Sequence, residues 1–163
     1  MIPKLGFGTW RLSGRECVEG VADASAAGYR QVDTAAMYGN EEEVGSGMRA
    51  SGVDRGDVWL TTKVWPDDLP PERVRASLER SLRALGTEYV DLFMIHWPNP
   101  RIPLAATLEA MAGLRDEGRT REIGVSNFTS AQFREALDLA PVMVNQVEYH
   151  VYLDQSAVLE VCR

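Results

Sequence analysis

Tyr89-Val90-Asp91-Leu92-Phe93-Met94-Ile95-His96-Trp97 is the stretch that decides the fold. A short, almost wholly apolar run with branched and aromatic side chains reads as a buried strand. This one ends on His96, a residue capable of chemistry. Working outward, the arrangement recurs. Tyr29-Arg30-Gln31-Val32 ends on Asp33, Val58-Trp59-Leu60-Thr61-Thr62 on Lys63, and Arg121-Glu122-Ile123-Gly124-Val125 on Ser126-Asn127. From 33 to 63, 63 to 96 and 96 to 126 the steps are 30, 33 and 30 residues. A fifth run, Val142-Met143-Val144-Asn145, reaches Gln146 after a shorter step of 20. About 30 residues is one strand–helix–return unit, and such units in series build a parallel sheet. Chemistry repeated at the carboxyl ends of parallel strands is the layout of a (β/α)8 barrel of the TIM type.

Helical stripes fill the intervals. Cys17, Val21, Ala24 and Gly28 fall at helical spacing, with Gly28 able to end the helix. Val74, Leu78, Leu82 and Leu85 lie between Pro70-Pro71 and Gly86, which start and stop a helix. Leu104, Leu108, Met111 and Leu114 form the next stripe, from Pro103 to near Gly118. Thr129 and Gln132 are spaced as a capping box, and Asp154 reads as a further N-cap with Leu153 and Val158 as its staple. Ile2 to Phe7 reads as the first strand. The count is six strands, five complete helices and a sixth just begun, all in one domain over residues 1–163. Eight units typically take about 250 residues, so the expectation is a barrel truncated after about six.

Composition narrows the function. The chain is 45% hydrophobic and 25% charged, as globular proteins are. Its net charge of −7 and lack of a Lys/Arg-rich run argue against nucleic acid and anionic membranes. No apolar stretch approaches the roughly 18 residues of a membrane span, and the start lacks a long apolar leader. Cys17 and Cys162 form no CxxC pair, so a reducing cytoplasm is the expected compartment.

On parallel neighbouring strands, Asp33, Tyr38, Lys63 and His96 converge. A lysine ammonium near a tyrosine stabilises phenolate and lowers its pKa, and Asp33 can hold that lysine. A neutral histidine can orient a carbonyl oxygen. The four groups make a proton donor beside a polarised C=O, with no good nucleophile among them, so a hydride must come from a cofactor. Singly each has a plainer reading: Tyr38 as a loop aromatic, Asp33 as a turn residue, Lys63 snorkelling to solvent, His96 as a core histidine. Together at successive strand ends they point to a site. Trp10, Trp65 and Trp97, just beyond strands one, three and four, would wall an apolar pocket, although any one could equally cap the core. Two histidines, His96 and His150, with Glu148 the one close partner of His150, are too few for a metal site. Gly6-Phe7-Gly8-Thr9-Trp10 lacks the spacing of a dinucleotide fingerprint.

The stretches LGFGTW, GYRQVDTAAMYGNEEEVG, VWLTTKVW, SLRALGTEYVDLFMIHWP, GRTREIGVSNF and VNQVEYH closely resemble the aldo-keto reductase family. The resemblance implies that Tyr38 is the general acid, that Lys63 and Asp33 tune it, and that His96 orients the carbonyl. It implies that Thr9, Asp33, Ser126, Asn127 and Gln146 contact the nicotinamide end of NADP(H), and that Trp10, Trp65 and Trp97 line the substrate pocket. His96 stands where the family's steroid double-bond reductases carry glutamate. Gln31 and Val151 depart from the usual histidine and proline. IPKLGFGTWRL with TREIGVSNFT most resembles the bacterial 2,5-diketo-gluconate reductase branch. The family's last two strands and its basic 2′-phosphate loop correspond to nothing within residues 1–163.

The expected activity is therefore NADPH-dependent reduction of an aldehyde or ketone, without a metal. The alternative is a nucleotide-binding or regulatory barrel without useful turnover. The expected partner is a small carbonyl compound, with a monomer at full family length and self-association of a six-unit sheet across its open edges.

Overall fold

The computed structural model describes all of residues 1–163. Six parallel strands are paired strictly in chain order: β1 Phe7–Gly8, β2 Gln31–Asp33, β3 Trp59–Val64, β4 Val90–Ile95, β5 Thr120–Ser126 and β6 Val142–Gln146. Between and after them run α1 Gly14–Ala26, α2 Glu41–Ala50, α3 Pro71–Leu85, α4 Leu104–Asp116, α5 Ser130–Leu139 and α6 Ser156–Val161. This is the repeated strand–helix unit that the 30-residue spacing predicts.

Register decides where the chemistry lands. Gly8 pairs with Asp33, Asp33 with Thr61, Lys63 with Met94, Val125 with Asn145 and Ser126 with Gln146. Side chains alternate across a strand. Val32, Leu60, Val64, Phe93, Ile95, Ile123 and Val125 share the core with Val74, Leu78, Leu108, Met111 and Phe133 from the helices. That alternation leaves Asp33, Lys63, His96, Ser126 and Gln146 on the opposite, inner face. The sheet curls around this face. Gln146 Nε2 on β6 donates to Asp33 Oδ2 on β2 at 2.9 Å, whereas four strand spacings laid flat would separate them by roughly 19 Å. Gly124 is small because the curled wall has no room there: a Cβ would lie 3.0 Å from both Met94 Cγ and Val144 Cγ2.

The helix boundaries follow their signals. Gly28 and Gly86 adopt positive φ just past α1 and α3, and Tyr29 N–H bonds back to Ala24 O at 3.0 Å in a Schellman closure. Thr129 and Gln132 form both bonds of the capping box. Two expectations need correction. The first strand is Phe7–Gly8 rather than residues 2–7, because Pro3 has no N–H to give a ladder and one neighbour alone holds this edge. Asp154 sits one residue before the N-cap position, Gln155, and its Oδ1 accepts from Ser156 N at 2.9 Å and from Ser156 Oγ. The outer edges of β1 and β6 are unpaired, and Tyr149, Val151 and Tyr152 after β6 are exposed. No helix is long and apolar enough to cross a membrane.

Candidate active site

At the carboxyl end of β3, the Lys63 side chain is 1% exposed. Its ammonium donates to Asp33 Oδ1 at 2.5 Å and to Thr34 O at 2.9 Å. Burial lowers the lysine pKa from its ordinary value, and the Asp33 carboxylate opposes that shift. Asp33 is held from behind, since Thr9 N and Oγ1 both donate to its carbonyl at 3.0 and 3.2 Å. Thr9 is fully buried in this role, so its hydroxyl braces the carboxylate strand rather than facing an open pocket.

Tyr38 ends a single 3₁₀ turn, Ala36–Tyr38, closed by Gly39 at φ 67°. The turn brings the phenol ring under Lys63, with Nζ 5.4 Å from the ring centroid. Here the expected tuning is reversed. The tyrosine pKa is pushed up to about 12, first by burial and then by the Asp33 charge. Lys63 lies over the ring face with its charge matched by Asp33, so burial and the carboxylate outweigh its pull toward phenolate. Tyr38 consequently holds its proton throughout the neutral range.

His96 packs edge-on between two aromatics, its ring 5.6 Å from Tyr38 and 5.4 Å from Trp65. Its Nδ1 is buried without a hydrogen-bond partner. Burial lowers the imidazole pKa to about 4, with the Lys63 charge adding and Asp33 opposing. The ring is neutral at pH 7.

Beside it, Asn127 takes φ 62°, a left-handed conformation that asparagine tolerates. Its Nδ2 donates to His96 O at 3.0 Å and to Ser126 Oγ at 3.1 Å. Ser126 Oγ donates to Gln146 O at 2.9 Å. With Gln146 bonded to Asp33, one hydrogen-bonded band runs from β6 to β2 across the inner face. The tryptophans divide. Trp65 touches His96, whereas Trp10 and Trp97 are 61% and 48% exposed. Arg11 stacks over Trp10 at 4.4 Å. The aromatic cup is therefore closed on the Trp65 side and open on the others. His150 lies 2.9 Å from Glu148 on the exposed stretch after β6, and no group of three potential ligands stands ready for a metal.

The model of the aldo/keto reductase family matches residues 4–163. The chain belongs to the aldo/keto reductase family. Among its relatives is an aldo-keto reductase of Mycobacterium sp. (strain KMS), 44% identical over 98% of this chain and 59% of its own length. A solved structure provisionally named 2,5-diketo-D-gluconic acid reductase B superposes with TM-score 0.96 at 48% identity, covering 99% of this chain and 58% of that one. The Bombyx mori aldo-keto reductase in complex with NADP superposes with TM-score 0.90 at 34% identity, covering 99% and 59%. The chain thus spans under two thirds of the length of these relatives, and the six strands match that portion of the family barrel.

One member of the site escapes a reading by strand ends. Asn40, buried beside the Tyr38 turn, donates to Thr9 O and Leu12 O and accepts from Thr34 Oγ1. Its position two residues after Tyr38 was visible, but two of its three partners lie 28 and 31 residues away and are set by the strand pairing.

Proposed function

We propose that the protein is an oxidoreductase that reduces an aldehyde or ketone, with NADPH as hydride donor and Tyr38 as proton donor. The observation that carries this reading is the convergence of the buried Asp33–Lys63 pair, the protonated Tyr38 and the neutral His96 at the carboxyl ends of neighbouring strands. The nicotinamide supplies the hydride that the side chains cannot. A carboxamide needs both donors and acceptors, and the Ser126, Asn127 and Gln146 set offers a hydroxyl and two amides at the ends of adjacent strands. The cofactor fits these residues. NADP in the Bombyx mori relative supports the phosphorylated form.

In this reading the buried orphan on His96 marks a ring short of a partner, and its neutral form can hydrogen-bond a carbonyl oxygen without adding charge. Tyr38, half-buried against that ring, delivers a proton to the oxygen as the carbon receives hydride, giving an alcohol. Lys63, itself shielded from water, places a positive charge near the developing oxyanion. Asp33 holds that ammonium in place. Trp65 shields the flank of His96.

The test is Tyr38→Phe in the intact protein, with NADPH binding followed by fluorescence titration and turnover by NADPH consumption with benzaldehyde. The expected result is unchanged NADPH binding and a kcat lower by about 10²–10⁴, the usual worth of a placed general acid. Wild-type binding without turnover on any carbonyl would favour the regulatory barrel instead.

A further inference from the structure

We infer that Asn40 is a positioning residue that fixes the Tyr38 turn against the Asp33–Lys63 pair and sets the Trp10 side of the mouth. The inference rests on the reading of Tyr38 as proton donor. Asn40 is 2% exposed, and its amide is used on both sides. Nδ2 donates to Thr9 O at 2.8 Å and to Leu12 O at 2.9 Å, while Oδ1 accepts from Thr34 Oγ1 at 3.1 Å. A buried primary amide satisfied this fully holds its surroundings in one arrangement.

Each of the three partners belongs to the site. Thr9 is the residue whose N–H and hydroxyl hold the Asp33 carbonyl. Thr34 supplies the carbonyl on which the Lys63 ammonium rests. Thr9 and Leu12 bracket the β1–α1 turn, closed by Leu12 N to Thr9 O at 3.1 Å, which carries Trp10 and the positive-φ residue Arg11. Asn40 is itself tied to the proton donor through Gly39, whose left-handed φ of 67° ends the Tyr38 turn. Its carbonyl accepts from Val44 N to begin α2. One side chain thus joins the loops after β1 and β2, which sequence alone leaves independent.

A side chain that only stabilised the fold would lower the melting temperature and leave the chemistry of the folded fraction intact. A positioning residue does the reverse, since misplacing a proton donor by about 1 Å can lower rates by as much as about 100-fold. The experiment compares Asn40→Ala and Thr34→Val, each alone and in the Tyr38→Phe background, in the intact protein. Thr34→Val removes only the hydroxyl reaching Asn40 and keeps the volume, so it serves where Asn40→Ala folds poorly. NADPH affinity, the fraction folded, and kcat and KM for benzaldehyde are measured for each.

The expected result is a kcat about 10- to 100-fold lower for Asn40→Ala, with a smaller loss for Thr34→Val and NADPH affinity within about threefold. In the Tyr38→Phe background neither substitution lowers kcat further, because the group they position is gone. Losses that multiply in that background, or a folded-fraction kcat equal to wild type, overturn the inference. A fully active Tyr38→Phe protein instead overturns the reading of Tyr38, and is recognised separately because it needs no substitution at Asn40.

Discussion

The two ends of the curled sheet each pair a carboxylate with a cation, and they bury opposite partners: Asp91 at one end and Lys63 at the other. At the amino end, Asp91 is 1% exposed. Its Oδ2 accepts from Arg55 Nη2 at 2.8 Å and Leu60 N at 3.0 Å, and its Oδ1 from Arg121 Nη1 at 2.9 Å. Both guanidinium groups also stack on Tyr89, at 4.2 and 4.6 Å. Arg55 also donates to Thr87 Oγ1, Val58 O and Tyr89 O. At the carboxyl end, the buried Lys63 has two acceptors for its three N–H groups, and His96 Nδ1 has no partner. A buried carboxylate with both oxygens paired makes a staple, because removing it strands the groups that donate to it. At the carboxyl end the perturbed pKa values of Tyr38, Lys63 and His96 gather in one place, which is what a reacting site needs.

The sharpest way to break this contrast is Lys63→Met. It should lower kcat by about 10²–10³, through loss of the charge beside the oxyanion. The melting temperature should shift little, since the ammonium's desolvation disappears with its ion pair and Asp33 keeps Gln146. Steady-state kinetics beside a thermal melt checks both, and a large loss of stability at normal kcat would mean that the two ends are alike.

Asp91→Ala should give the opposite profile. Two arginines and the Leu60 N–H lose their acceptor, and the expected loss is about 2–3 kcal/mol. That lies below the full figure for a buried pair because Arg55 and Arg121 reach solvent. Denaturant unfolding measures it. The kcat per folded molecule should match wild type, and a fall there would connect the amino end to the chemistry.

A third expected effect is a pH dependence of stability from His96 at the carboxyl end. His96 in the folded chain titrates at about 4, against about 6.5 when unfolded. Between those values the unfolded state binds the proton and the folded state does not, so stability falls as pH drops from about 6.5 to about 4. The two values cap the loss at roughly 3 kcal/mol. Melts of wild type and His96→Gln across this window check it: the variant should lose that slope, and an unchanged slope would place the titration elsewhere.

Much of this was legible in residue order. Spacing of 30, 33 and 30 residues gave the strand–helix unit, and the period of two put Asp33, Lys63, His96 and Ser126 on one face because each ends a strand of the same kind. Gly28, Gly86 and the Thr129–Gln132 pair marked helix ends through local backbone chemistry that needs no distant partner. Family membership was equally readable, since the motifs that carry it lie in continuous stretches.

What tertiary structure alone decided is everything that depends on strand register and curvature. Sequence placed a lysine near a tyrosine and implied a lowered tyrosine pKa. Sequence also paired that lysine with Asp33, but only the fold set Nζ over the ring face and buried the ring, so that burial and the carboxylate raise that pKa instead. The Gln146–Asp33 bond spans 113 residues and exists because the sheet curls. Asn40 draws its partners from the loops after β1 and β2, and Thr9 turns inward to brace the Asp33 carbonyl. The physical division is one of range. Propensity, capping and periodicity act over a few residues, whereas the charge environment of a buried group is summed over whatever the chain brings within several ångströms from anywhere along its length.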